Sequence, residues 1–148
     1  MSDIFSKILG VVLAFILLAF GPLTINALTG DLTMKRASIN EVTNFINKVT
    51  DSGRTTEAEL ADFYLGCASH GVVADVTVKR YVKIVNPDGK GGTYTSYVLS
   101  TDLSKWNRGD VIQVTFKAID WTGAQRILWQ LLKMAQPKFE FTLAGKVR

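Results

Sequence analysis

The period at which apolar positions recur changes along this chain of 148 residues, and each change marks a structural element. Residues 8–20 contain no charge and no polar side chain, and ten of those thirteen are Leu, Ile, Val or Phe. The uninterrupted stretch 8–28 has 21 residues, about 30 Å as a helix and enough to cross a bilayer core. Ile8, Leu9, Val11, Val12, Leu13, Phe15, Ile16, Leu17, Leu18 and Phe20 together favour insertion by about 3 to 6 kcal/mol. Thr24 and Asn26 lie near one end, within reach of the interface, and Gly21-Pro22 predicts a kink rather than a stop.

Beyond Gly30 the pattern becomes that of an amphipathic helix. Met34, Ala37 or Ser38, Val42, Phe45, Ile46 and Val49 recur at spacings of three and four, opposite Lys35, Arg36, Asn40, Glu41, Asn44, Asn47 and Lys48. Asp51-Ser52-Gly53 ends it. A second helix is expected over 56–70, opened by a capping box of Thr56 and Glu59, with Leu60, Phe63, Tyr64 and Cys67 as its stripe.

The period then falls to two. Val76, Val78, Val82 and Ile84 alternate with polar residues, predicting a strand near 74–86, a glycine-rich turn over 86–92 and a returning strand near 93–101. A polar connection over 102–108 leads to a strand near 110–119, in which Ile112, Val114, Phe116 and Ala118 face the core. A helix is expected over 122–134 and a last strand near 138–147, with Phe139, Phe141, Leu143 and Val147 inward. The predicted class is α+β: a long N-terminal helix, transmembrane and then amphipathic, packed on a small antiparallel sheet of about four strands. Residues 1–30 form the membrane-anchoring part and 31–148 an extracytoplasmic domain.

Composition narrows the classes. With 47% hydrophobic and 20% charged residues and one long apolar run, the chain is neither multidomain, disordered nor polytopic. Its net charge of +4 is scattered along strands and turns, which argues against nucleic-acid binding. A cleaved secretory signal competes with an uncleaved anchor. The leader MSDIFSK sets Asp3 against Lys7, and Ile25-Asn26-Ala27 departs from small-x-small, so the anchor is preferred. With Lys7 on one side and Lys35-Arg36 on the other, the positive-inside rule does not favour an inward N-terminus.

Candidate chemistry is sparse. One Cys and one His, Cys67 and His70, do not complete a tetrahedral metal site, and Cys67 reads as packing. His70 with Ser69 or Ser52 and Asp75 has the residue types of a triad but no nucleophile elbow. Asp88-Gly89-Lys90-Gly91-Gly92 lacks phosphate-loop spacing. The pairs Glu57 with Glu59 and Asp102 with Asp110 sit in polar sequence, where no pKa shift is expected. The expectation is therefore no enzyme, no catalytic residue, no metal and no cofactor. Trp121, Ile127, Trp129 and Leu131 make a broad apolar surface that is either core or a partner contact.

A short tail, an apolar segment with a proline, an amphipathic continuation and a small antiparallel sheet follow one another. The last sheet residues are Gly109-Asp110-Val111-Ile112-Gln113-Val114-Thr115-Phe116 and Phe139-Glu140-Phe141-Thr142-Leu143-Ala144-Gly145-Lys146-Val147-Arg148. This order resembles type IV pilin-like proteins, particularly TadE-like minor pilins or pseudopilins. The resemblance implies a non-enzymatic structural subunit of a pilus, secretion or conjugation-type apparatus. It would be held in the cell membrane by one span and partnered by other pilin-like subunits or envelope proteins as a homo- or hetero-oligomer, within a surface filament in some systems. It also makes Gly10 the processing position. The fifth residue beyond it is Phe15, where the family carries Glu. The alternative from the residues alone is a single-pass anchored binding module.

Overall fold

Residues 2–70, 72–121, 130 and 139–148 are described by the computed structural model. They form α1 (Ser2–Ser52), α2 (Glu57–Ser69), β1 (Val72–Pro87), β2 (Thr93–Ser100), β3 (Val111–Trp121) and β4 (Glu140–Lys146). The chain divides into two units, Met1–Met34 and Lys35–Arg148.

In the first unit the helical backbone runs through Pro22. Pro22 has no N–H to give the Leu18 carbonyl, and just beyond it the Thr24 hydroxyl is shared between the carbonyls of Phe20 at 2.9 Å and Gly21 at 2.8 Å.

The second unit is built on an antiparallel sheet in the order β2-β1-β3-β4. The predicted helix face reaches it as expected. Val42, Phe45, Ile46 and Val49 are buried with Ile112, Val114 and Phe116 of β3, and Ser38 of the same face is buried too. Phe45 stacks on Phe63 of α2 with ring centroids 4.1 Å apart, so both helices share one apolar layer. Phe116, Phe139 and Phe141 form a second aromatic group, with Lys35 of α1 lying 5.4 Å above the Phe139 ring. Gly145 permits the closest approach. A Cβ there would overlap the side chains of Ile46 and Thr50, so α1 rests directly on the β4 backbone.

The capping box is formed as expected. The Glu59 N–H donates to Thr56 Oγ1 at 3.2 Å and the Thr56 N–H to Glu59 Oε2 at 2.9 Å, so Thr56 is the N-cap of α2 and His70 its C-cap. The strands differ from expectation mainly at their ends. β1 begins at Val72 because Val72 and Val73 pair with Trp121 and Asp120 across a register shift, a constraint set by the partner strand rather than by local pattern. The helix expected over 122–134 lies outside the described residues apart from Gln130, which is helical.

The connection over 102–108 is more than a polar link. Trp106 is buried there, donating through Nε1 to the Leu103 carbonyl at 2.9 Å and to Thr55 Oγ1 at 3.0 Å. Backbone bonds from Thr55 to Ser104 and from Trp106 to Gly53 join this loop to the turn between the helices, where Gly53 has φ +65°.

Candidate membrane and assembly surface

The apolar segment of α1 is uncovered around its whole circumference. Its ten large side chains between Ile8 and Phe20 are 46 to 76% exposed, with no direction sparing a buried stripe. Gly10 and Gly21 have open space where a Cβ would stand, and Pro22 is exposed. The first charged residues on either side are Lys7 and Asp31, leaving 23 uncharged residues between them, about 34 Å of helix. This helix is long and apolar enough to cross a membrane. Water does not favour an all-round apolar surface of this kind, whereas lipid or neighbouring apolar helices do.

The second proposed surface is reached only at its edge. Trp121 is the last residue of β3, while Ile127, Trp129 and Leu131 lie outside the described residues.

The two serines weighed for chemistry are engaged locally. The Ser69 hydroxyl donates to the Gly66 carbonyl and the Ser52 hydroxyl to the Arg54 carbonyl. Cys67 is buried, and desolvation, reinforced by the charge of Glu41, pushes its thiol up to about 11. Nε2 of His70 is buried with no hydrogen-bond partner among the described residues. Among those residues no cluster of three His, Cys, Asp or Glu could hold a metal ion. The 88–92 turn binds its own aspartate, since Asp88 Oδ1 accepts from the N–H groups of Lys90 and Gly92, each at 2.8 Å. Glu59 serves the cap and pairs with Lys48 at 3.0 Å.

The expectation of unshifted carboxylates fails at Glu59, Asp102 and Asp110. Glu59 and Asp102 stay at the surface, but hydrogen bonds from Thr56 and Lys48 lower the first to about 2 and those from Ser104 hold the second below its ordinary range. Asp110 does not even sit in polar surroundings: it is 1% exposed and faces Arg80, itself 5% exposed. Its carboxylate accepts from Arg80 Nε and Nη2 at 3.0 and 2.8 Å, the Asn107 N–H at 3.0 Å and the Lys83 N–H at 3.1 Å. Burial opposes ionisation, but the two backbone donors and the guanidinium outweigh it and hold the carboxyl below its ordinary range. Arg80 also donates to the Asp102 carbonyl at 3.1 Å and lies 5.5 Å over the Trp106 ring. The pattern contained a signal for this: Arg80 holds the inward phase between Val78 and Val82, where an unpaired charge would be unfavourable. It joins β1, β3 and the 102–108 loop, and its chemistry is that of a structural fastening.

No family model, curated protein or solved structure matches the chain.

Proposed function

We propose that this protein is a membrane-anchored, non-enzymatic structural subunit of the type IV pilin-like, TadE-like kind, belonging to a pilus, secretion or conjugation-type apparatus. The observation that supports it is the all-round exposure of the ten apolar side chains between Ile8 and Phe20. The core of the second unit closes without them. A helix of this kind can lie in lipid before assembly and against equivalent helices afterwards, because neither environment demands a polar face. In this reading the 31–148 domain is exported and Gly10 is the processing position.

Single cysteines placed along 11–18 in the full-length, membrane-embedded protein test the proposal. Cross-links between copies along that stretch, together with loss of surface filaments or secretion on deletion, are the expected result. Cross-links to foreign proteins confined to 31–148, with none along the helix, would establish an anchored binding module instead. Intact mass of the extracted protein reports separately whether the chain is cut after Gly10.

A further inference from the structure

The sheet is staggered. β1 pairs with β3 only as far as Tyr81 opposite Val111, while its pairing with β2 runs from Arg80 opposite Ser100 to Pro87 opposite Thr93. Residues 82–87 and 93–98 therefore form a two-stranded ribbon with no third strand among the described residues. Such a ribbon gains little stability alone in water. It nevertheless exposes Ile84, Tyr94 and Val98 on one face and Val85 and Tyr97 on the other. Asp110 secures its root by accepting from the Lys83 N–H where β3 has ended.

The free edge of β2 has a defined hydrogen-bonding phase. The Asp88 N–H donates to the Gly92 carbonyl, and Pro87 has no N–H to give Thr93. Bonded pairs thus fall at 86/94, 84/96 and 82/98, by the alternation of antiparallel ladders. The N–H and C=O groups of Thr93, Thr95, Tyr97 and Leu99 point away from β1. The outward N–H of Lys83, opposite Tyr97, independently agrees with that phase. Edge strands of this length are ordinarily guarded by Lys, Glu, Pro or a bulge. Here 93–101 reads Thr-Tyr-Thr-Ser-Tyr-Val-Leu-Ser-Thr, with no charge and no proline.

We propose that the β2 edge pairs with the β2 edge of a second copy of this chain, antiparallel about a two-fold axis through Ser96. In this register Thr95 stands opposite Tyr97 and Thr93 opposite Leu99, so the outward backbone groups of each strand are satisfied by the other. On the other face Tyr94 meets Val98, and aromatic with β-branched pairs are favourable cross-strand neighbours. Charge complementarity selects this occupant and register. The turn of each copy is carried toward the strand root of the other, bringing Lys90 to Asp102 twice. Asp102 is 62% exposed at its side chain, with Oδ2 3.9 Å from Arg80 Nη1 and its other face open, and its Ser104 hydrogen bonds hold its carboxyl below the ordinary range. Lys90 makes no ion pair among the described residues. Shifting the register by two residues sets Lys90 opposite Ser104 and Asp102 opposite Gly92, and the complementarity is lost.

The test is Ser96→Cys in the full-length protein in detergent or nanodiscs. Ser96 would face its own copy in a non-hydrogen-bonded pair, with Cα atoms about 4.5 Å apart, a distance that permits a disulfide. Mild oxidation should convert most of this variant to a covalent dimer, at least about tenfold more than Lys117→Cys. Lys117 is exposed on β3, away from the edge. Thr95→Lys should weaken the noncovalent dimer by at least about tenfold, with an unchanged circular dichroism spectrum. Tyr97→Pro, which deletes an outward N–H together with the tyrosine ring at an edge position that tolerates proline, should do the same. Ser96→Cys linking no better than Lys117→Cys would overturn the proposal. So would a stronger link at Tyr97→Cys than at Ser96→Cys, or disulfides to a foreign protein alone. The result is separable from the proposed function, which is read from cross-links along 11–18.

Discussion

Arg80 directs both Nε and Nη2 onto a single oxygen of Asp110, Oδ2, at 3.0 and 2.8 Å, beside a core made mainly of Val, Ile and aromatic side chains. The second oxygen, Oδ1, is left to the Lys83 N–H. One carboxylate therefore neutralises an inward arginine and completes the ladder of β1 at the place where β3 stops. Removing one member leaves an uncompensated buried charge. Arg80→Met should destabilise the fold by about 3–5 kcal/mol. The double variant Arg80→Met/Asp110→Asn should lose clearly less than the sum of the single changes. Urea unfolding of the four proteins, arranged as a double-mutant cycle, measures the coupling.

Gly145 gives a prediction about packing. A side chain there must displace Ile46 and crowd Thr50 of α1. Gly145→Val should cost about 1–3 kcal/mol through overpacking. Gly91, in open space on the exposed turn with φ +88°, provides a comparison in which only backbone strain is added. Thermal unfolding of Gly145→Val and Gly91→Ala separates the two effects.

Acid sensitivity should be traceable to the cap of α2. Hydrogen bonds from the Thr56 backbone, Lys48 and the Thr56 hydroxyl lower Glu59 from 4.5 to about 2. A carboxyl depressed in the folded state contributes stability that is fully present above about pH 4.5 and is lost as pH falls toward 2. Glu59→Gln should therefore unfold with a shallower dependence on pH between 4.5 and 2, and differ least from the parent at the acidic end. Urea midpoints at several pH values across that window decide it. Thr56→Ala, which removes the reciprocal half of the box, should cost about 1 kcal/mol.

Cys67 should be inert while the protein is folded. Its thiol lies at about 11 instead of 9.0, so at pH 8 the thiolate is about a hundredfold scarcer than in an ordinary cysteine, and burial restricts access further. Reaction with a disulfide reagent should be at least about a hundredfold slower in buffer than in urea. A fast native reaction would contradict the burial of this side chain.

Much of the fold was legible because its periods are local properties of the chain. The three-and-four spacing of Val42, Phe45, Ile46 and Val49 predicts the face that packs on the sheet. The alternation of Ile112, Val114 and Phe116 predicts the strand side that meets it. The Thr56 and Glu59 cap is likewise a matter of four consecutive residues. The apolar run from Ile8 to Phe20 declares its own preference for an apolar environment, since a helix with no polar side has no face to offer water.

Tertiary structure decided what depends on residues far apart in sequence. Arg80 and Asp110 are thirty residues apart, and only the pairing of β1 with β3 makes a buried arginine tolerable. Trp106 sits in a stretch with the polarity of a surface loop, yet it is buried because Gly53, Thr55 and Leu103 converge on it. The stagger that leaves 82–87 and 93–98 as a ribbon follows from where β3 begins relative to β1. Strand register is a relation between segments, so the pattern within either segment does not specify it.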